Sequence, residues 1–201
     1  MERKLSVQEK SLIRKKVQEK YVRVAKSPEG YFNFPTGKAG LEKQGYLDIL
    51  RDFPEPILES FCGVGNPFSA GSIEQGEAIL DIGCGSGFDA FVASRMTGPQ
   101  GQVTGIDVSP EMIAKAKKNL AFLGLSNVSF EVGEAEALPF EDQIFDAAIS
   151  NGAFNLTFSK EKALQEAFRV LKPGGRLMIA DMVLAEPLPH ERAGKIENWY
   201  Q

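Results

Sequence analysis

Three glycines at every second position, set among carboxylates, are the part of the chain best suited to chemistry. Ile79-Leu80-Asp81-Ile82 reads as a buried strand running into Gly83-Cys84-Gly85-Ser86-Gly87, and Phe88-Asp89 opens a helical pattern. Glycine lets the backbone turn sharply and approach a ligand with no Cβ in the way. The helix N-terminus behind the turn favours a negative group. A second strand, Val103-Thr104-Gly105-Ile106-Asp107, ends in a carboxylate. In doubly wound folds an acid about 20 residues past such a loop accepts hydrogen bonds from a ribose diol. A nucleoside ligand follows, but not the commonest ones. A dinucleotide site needs G-x-G-x-x-G, and Phe88 stands where its third glycine belongs. A P-loop needs Gly-Lys-Ser/Thr, and the loop contains no Lys or Arg. Asp81, just ahead of the glycines, would repel phosphate and suits a ligand ammonium group.

These side chains need a scaffold that brings strand ends together. From Glu77 onward, strand-like runs at 78–82, 103–106, 128–132, 145–150 and 176–180 alternate with helical patterns at 88–96, 110–123 and 160–171. Such alternation predicts βαβ units and a parallel sheet, with right-handed crossovers placing helices on both faces. Ser109 and Pro110 make a good N-cap and first helical residue. Lys172-Pro173-Gly174-Gly175 is expected to stop a helix and turn the chain into the last strand. Ahead of this, Ile13, Val17, Tyr21 and Val24 recur at helical spacing, and turn residues break 27–76 into short helices near 41–50 and 55–61. The expected fold is α/β, a Rossmann-like doubly wound, mostly parallel sheet. Residues 1–75 form an N-terminal helical cap over the substrate, and 76–201 the ligand-binding domain.

Asp81-x-Gly83-x-Gly85-x-Gly87 resembles motif I of the class I methyltransferases. The resemblance continues through Gly133-Glu134-Ala135-Glu136-Ala137-Leu138-Pro139-Phe140, through Asp146 to Gly152, and through Leu171-Lys172-Pro173-Gly174-Gly175. It covers residues 77–181, and the pieces in order carry more weight than any one of them. S-adenosylmethionine, the cofactor it implies, has an ammonium, a sulfonium, a ribose and no phosphate. The resemblance implies that Gly83, Gly85 and Gly87 pass close to the methionine moiety and that Asp81 holds its amino group. It places Asp107 on the ribose hydroxyls, Val108 and Met112 near the adenine, and Glu134 and Ala135 at the adenine edge. Ser150 and Asn151 would stand at the topological switch point between first and fourth strands. Cys84 is counted with the cofactor-binding loop.

Plainer readings accompany several of these. Asp107 alone is also explained as a helix-start acid beside the dipole. Glu134 and Glu136 are equally exposed loop acids, Asn151 a turn-former, Met112 a core residue and Cys84 a small loop residue. No catalytic side chain and no metal site is assigned. His190 reads as a loop histidine, and Asp181 as a substrate-pocket acid or a plain strand-end acid. The segment 31–67, with Cys62-Gly63 just before the domain, resembles the branch related to arsenite methyltransferases. The family's cysteine, however, falls nearer Val64, and soft trivalent arsenic wants several thiolates.

Composition narrows the partners. The first 26 residues hold nine Lys or Arg against three Glu, while the whole chain is −4. The main body is therefore acidic and a poor surface for nucleic acid. A small-molecule acceptor is expected, with an RNA methyltransferase or a non-catalytic cofactor-binding module as alternatives. No run approaches the roughly 18 apolar residues of a membrane helix, no signal peptide is evident, and a cytoplasmic setting is the default. Oligomeric state is left open. The resemblance implies a seven-stranded sheet; five strands are counted here, so the natural protein is expected to continue past Gln201, with this chain retaining the cofactor half.

Overall fold

The computed structural model describes residues 5–183. Five strands form its centre: β1 (Ala78–Ile82), β2 (Gln102–Asp107), β3 (Val128–Val132), β4 (Phe145–Asn151) and β5 (Leu171–Ala180). All pairings are parallel, in the order β3-β2-β1-β4-β5. The direction of winding reverses between β1 and β4, so the carboxyl ends of these two strands flank a crevice.

Side chains alternate across β1 and bury both faces, as period-two geometry requires. Ile79 joins Phe88, Phe91, Phe130 and Ala147 on one side. Leu80 and Ile82 join Phe145, Ala163, Ala167 and Val170 on the other. Helices α4 (Phe88–Thr97) and α5 (Pro110–Leu123) belong to the first layer, and α6 (Lys160–Val170) to the second. Ser109 caps α5 by accepting from Met112 N, and Gly124 closes it in the left-handed conformation. Ser159 caps α6 in the same way, accepting from Lys162 N.

The N-terminal part shares the first core rather than standing apart. Helix α1 (Val7–Val24) opens with a capping box between Ser6 and Glu9. Then follow α2 (Gly37–Lys43), a 3-10 turn at Leu47–Asp52 and α3 (Glu55–Leu58). Leu41, Tyr46, Phe53, Ile57 and Phe61 pack on Phe88 and its neighbours. Helix α4 is thus covered on its outer side as well, which explains why Phe88 to Ser94 are all buried.

Three local expectations change. The helix expected near 41–50 is two pieces, because Gly45 at φ +83° turns the chain between them. The one expected over 55–61 ends at Leu58. Strand β5 begins at Leu171, before the glycines: Leu171 pairs with Phe145 and Arg176 with Ala147, the residues between bulging out with Gly174 at φ +82°. His190 lies outside the described residues. Among those described, no helix is long and apolar enough to cross a membrane.

Candidate functional site

The turn after β1 is tied down by its own backbone. Gly83 N and Cys84 N both donate to Ile106 O, at 2.7 and 2.9 Å. Gly83 sits at φ +78°, and a Cβ there would run into Ala153. Gly87 caps α4 at φ +91°, where a Cβ would press on the rings of Phe130 and Phe91. Glycine at these two positions is therefore demanded by the protein's own packing as much as by any ligand. Asp107 closes the arrangement: Oδ2 accepts from Gly85 N at 2.9 Å and Oδ1 from Ser109 N at 2.8 Å.

Above this turn lies a cavity of about 270 Å³. The ends of β1, β2 and β4 form its floor, the 133–136 and 152–158 segments one side, and Phe61, Cys62 and Gly63 another. Helix α1 crosses above, presenting Arg14, Val17, Gln18 and Tyr21. Arg14 is pinned there by Glu134 at 2.8 Å and lies over the Phe158 ring, 5.4 Å from its centroid.

The electrostatics are one-sided. Asp81, Asp89 and Asp107 all face the cavity. Burial raises the carboxyl of each: Asp81 well above the usual range, further pushed by Asp89 and Asp107; Asp89 to about 6; Asp107 less, held back by its two backbone donors. Asp81 Oδ2 is buried with no hydrogen-bond partner among the described residues. Asp89 Oδ1 accepts from Tyr46 OH at 2.5 Å and Oδ2 from Asn151 Nδ2 at 2.9 Å. The Cys62 thiol is pushed up to about 12, chiefly by burial. No cluster of metal-ligating side chains occurs among the described residues.

Of the residues singled out in the sequence, Asp81, Gly83, Cys84, Gly85, Asp107, Val108, Glu134, Ala135 and Asn151 line the cavity. Gly87, Met112 and Ser150 do not. Gly87 faces the aromatic core. Met112 is 1% exposed and sits behind Gly85, its Cε 3.3 Å from where a Cβ would be. Ser150 is fully buried, its hydroxyl donating to Ile82 O and stitching β4 to β1. The structure adds wall residues that sequence reasoning left out: Arg14, Gln18, Phe61, Asp89, Ser109 and Phe158. Asp89 had a signal, being an acid in the first turn after the glycines. Ser109 follows Asp107 by two residues in the turn after β2; the others are brought in by long-range packing. Asp181 lies off the cavity wall, its Oδ2 accepting from Asn155 N.

A parallel sheet wound in this order, with a glycine turn after its first strand and an acid ending its second, defines an α/β nucleoside-binding domain. The chain belongs to the methyltransferase-domain family, whose model matches residues 73–201. It is 39% identical over 157 residues to an arsenite methyltransferase of Halobacterium salinarum, covering 78% of this chain and 40% of that protein. It is 42% identical over 120 residues to a ubiquinone/menaquinone biosynthesis C-methyltransferase of Yersinia enterocolitica, covering 58% and 47%. Among solved structures it resembles an arsenic(III) S-adenosylmethionine methyltransferase of Chlamydomonas reinhardtii, with TM-score 0.65, 38% identity and coverage of 72% and 51%. The matched region spans less than half the length of both curated relatives.

Proposed function

We propose that this chain binds S-adenosylmethionine in the cavity and directs its methyl group to a small-molecule acceptor. The observation that carries the reading is Asp81 Oδ2, buried without a donor. A buried carboxylate oxygen with no donor is costly, and two further acids beside it deepen the need for a cation. A ligand ammonium supplies donors and positive charge; a phosphate supplies neither.

The remaining wall fits the rest of the molecule. Each Asp107 oxygen carries one backbone donor, and a carboxylate oxygen has two lone pairs, so both oxygens can still accept from ribose hydroxyls. Gly83, Cys84 and Gly85 offer backbone to the amino-acid part. Val108, Glu134 and Ala135, past the ends of β2 and β3, flank the adenine. When bound, the sulfonium supplies an already activated methyl group, so placement accounts for most of the rate. The protein's part is to hold the donor in line and, through α1, to exclude water. A base is needed only where the acceptor must lose a proton, and no side chain is assigned that role.

The relatives' names include an arsenite methyltransferase and a C-methyltransferase of ubiquinone/menaquinone biosynthesis. Cys62 does face the cavity. With its thiol at about 12 it stays protonated near neutral pH, and one protonated thiol is a poor ligand for a soft metalloid. The acidic body of the chain disfavours RNA. Two unpaired thiols, Cys62 and Cys84, suit a reducing, cytoplasmic setting.

Calorimetry with S-adenosylmethionine, S-adenosylhomocysteine and NAD tests the cofactor directly. The first two should bind and NAD should not; NAD binding without any response to S-adenosylhomocysteine would overturn the proposal. Transfer of labelled methyl to fractionated small molecules, against RNA, tests the acceptor class.

A further inference from the structure

Asn151 ends β4 against the cap, and its amide is used up inside the protein. Oδ1 accepts from Val64 N at 2.8 Å and Gly65 N at 3.1 Å, while Nδ2 donates to Gly65 O at 2.7 Å and Asp89 Oδ2 at 2.9 Å. An amide has two donor hydrogens and two acceptor lone pairs, so no capacity remains for a ligand. The bonds also fix its orientation, since a flipped amide would set its NH2 against two backbone N–H groups. The other Asp89 oxygen accepts from Tyr46, again a cap residue. The fit is close: a Cβ on Gly63 would strike the Asn151 amide, and one on Gly65 would lie 2.8 Å from Ala180 Cβ.

We propose that Asp89 and Asn151 are positioning residues that clasp cap segment 61–65 in place as one wall of the cavity. Its purpose in methyl transfer rests on the function proposed above; the clasp itself does not. Asp89 is 7% exposed. Tyr46 and Cys62 of the cap, Asp81 of β1 and Asn151 of β4 are the polar and titratable groups in its field. Burial lifts the Asp89 carboxyl to about 6, while the Tyr46 and Asn151 bonds pull it down. Docking the cap is what removes water from Asp89, so the docked segment holds the Asp89 proton more tightly than the undocked one. By linkage, docking tightens as pH falls below about 6, and above that value Asp89 is ionised in both states and the dependence levels off. A proton and a cationic ligand thus relieve the same charge.

Amide hydrogen exchange of Val64 and Gly65, on the full chain without ligand and corrected for intrinsic rates, tests the clasp. Asn151→Ala and Asp89→Ala should each raise exchange at both amides at least tenfold at pH 8, with the β1 and β2 amides unchanged. Wild-type protection should grow from pH 8 to pH 5. Asp89→Asn is neutral throughout and keeps an acceptor for Asn151 and a donor for the Tyr46 oxygen. It should restore protection and show no pH step. Unchanged exchange in the alanine variants, or a pH step that survives Asp89→Asn, overturns the proposal. Should either alanine variant fail to fold, Tyr46→Phe, which deletes only a hydroxyl, must raise exchange or the clasp is refuted. No ligand enters this measurement, so failure of the cofactor reading would appear separately, as absence of S-adenosylhomocysteine binding.

Discussion

Lowering the pH should weaken cofactor binding and make binding release protons. Asp81, Asp89 and Asp107 line one cavity, and burial raises the carboxyl of each. A cationic ligand favours their ionised forms, so it must displace whatever protons they hold. Asp89, at about 6, gives the scale: its protonated fraction passes from almost none at pH 8 to about nine-tenths at pH 5. If that proton leaves on binding, affinity falls about tenfold over the interval, or about 1.4 kcal/mol. Asp81 and Asp107 are shifted in the same direction, so tenfold is a floor. At pH 6 Asp89 alone contributes about half a proton released per ligand bound. Titration calorimetry with S-adenosylmethionine, whose sulfonium makes it a net cation, at pH 5, 6, 7 and 8, in two buffers of different ionisation enthalpy, reads both quantities. A dissociation constant constant within twofold, or net proton uptake, would refute the charge argument.

The free protein should show the opposite slope. A carboxyl raised by folding contributes stability that is present at low pH and lost as pH rises through the folded value; for Asp89, between 3.8 and about 6, this amounts to roughly 3 kcal/mol in all, of which about 1.4 kcal/mol is lost between pH 5 and pH 8. Thermal denaturation of the ligand-free chain should therefore show a melting temperature that declines from pH 5 to pH 8, and Asp89→Asn should flatten the decline. Asp81→Asn removes a buried charge with an unpartnered oxygen, so it should raise the melting temperature at pH 8 while abolishing S-adenosylhomocysteine binding; lower stability with intact binding would contradict the role given to Asp81. Asp107→Ala loses charge-assisted bonds worth roughly 1.5–3 kcal/mol each, so calorimetry should find affinity down at least tenfold on a fold that circular dichroism shows intact. Gly83→Ala places a Cβ at φ +78° against Ala153 and should cost more than about 1 kcal/mol in urea denaturation, a cost that a neutral result would disprove.

The sheet was legible because its signals are local. Strand β3 and helix α5 fall on the expected bounds: Ser109-Pro110 is punctuation written in the chain itself. The cap was harder to read. Its helices are short, and their pairing with α4 through Tyr46, Phe53 and Phe61 depends on partners tens of residues away. The start of β5 was misplaced for a related reason. Lys172-Pro173-Gly174-Gly175 looks like a turn, yet Leu171 before it already pairs with Phe145. Local propensity marks the bulge but cannot show that the ladder begins ahead of it.

The site divides along the same line. Asp81, the glycine turn and Asp107 are close in sequence or end adjacent strands, so a pattern of types and spacings finds them. Gly87, Met112 and Ser150 belong to that same pattern, yet the cavity does not include them, because a motif also records what the turn needs in order to pack. Gly87 answers to Phe91 and Phe130, Met112 to Gly85, and Ser150 to Ile82. Asn151 carries the point furthest. Its place beside β1 at the switch point is visible from strand order, but its use is not. The amide's partners are Val64, Gly65 and Asp89, 62 to 87 residues away along the chain. A side chain can stand in a binding cavity with every polar atom committed elsewhere, and only the count of its hydrogen bonds tells a wall from a ligand.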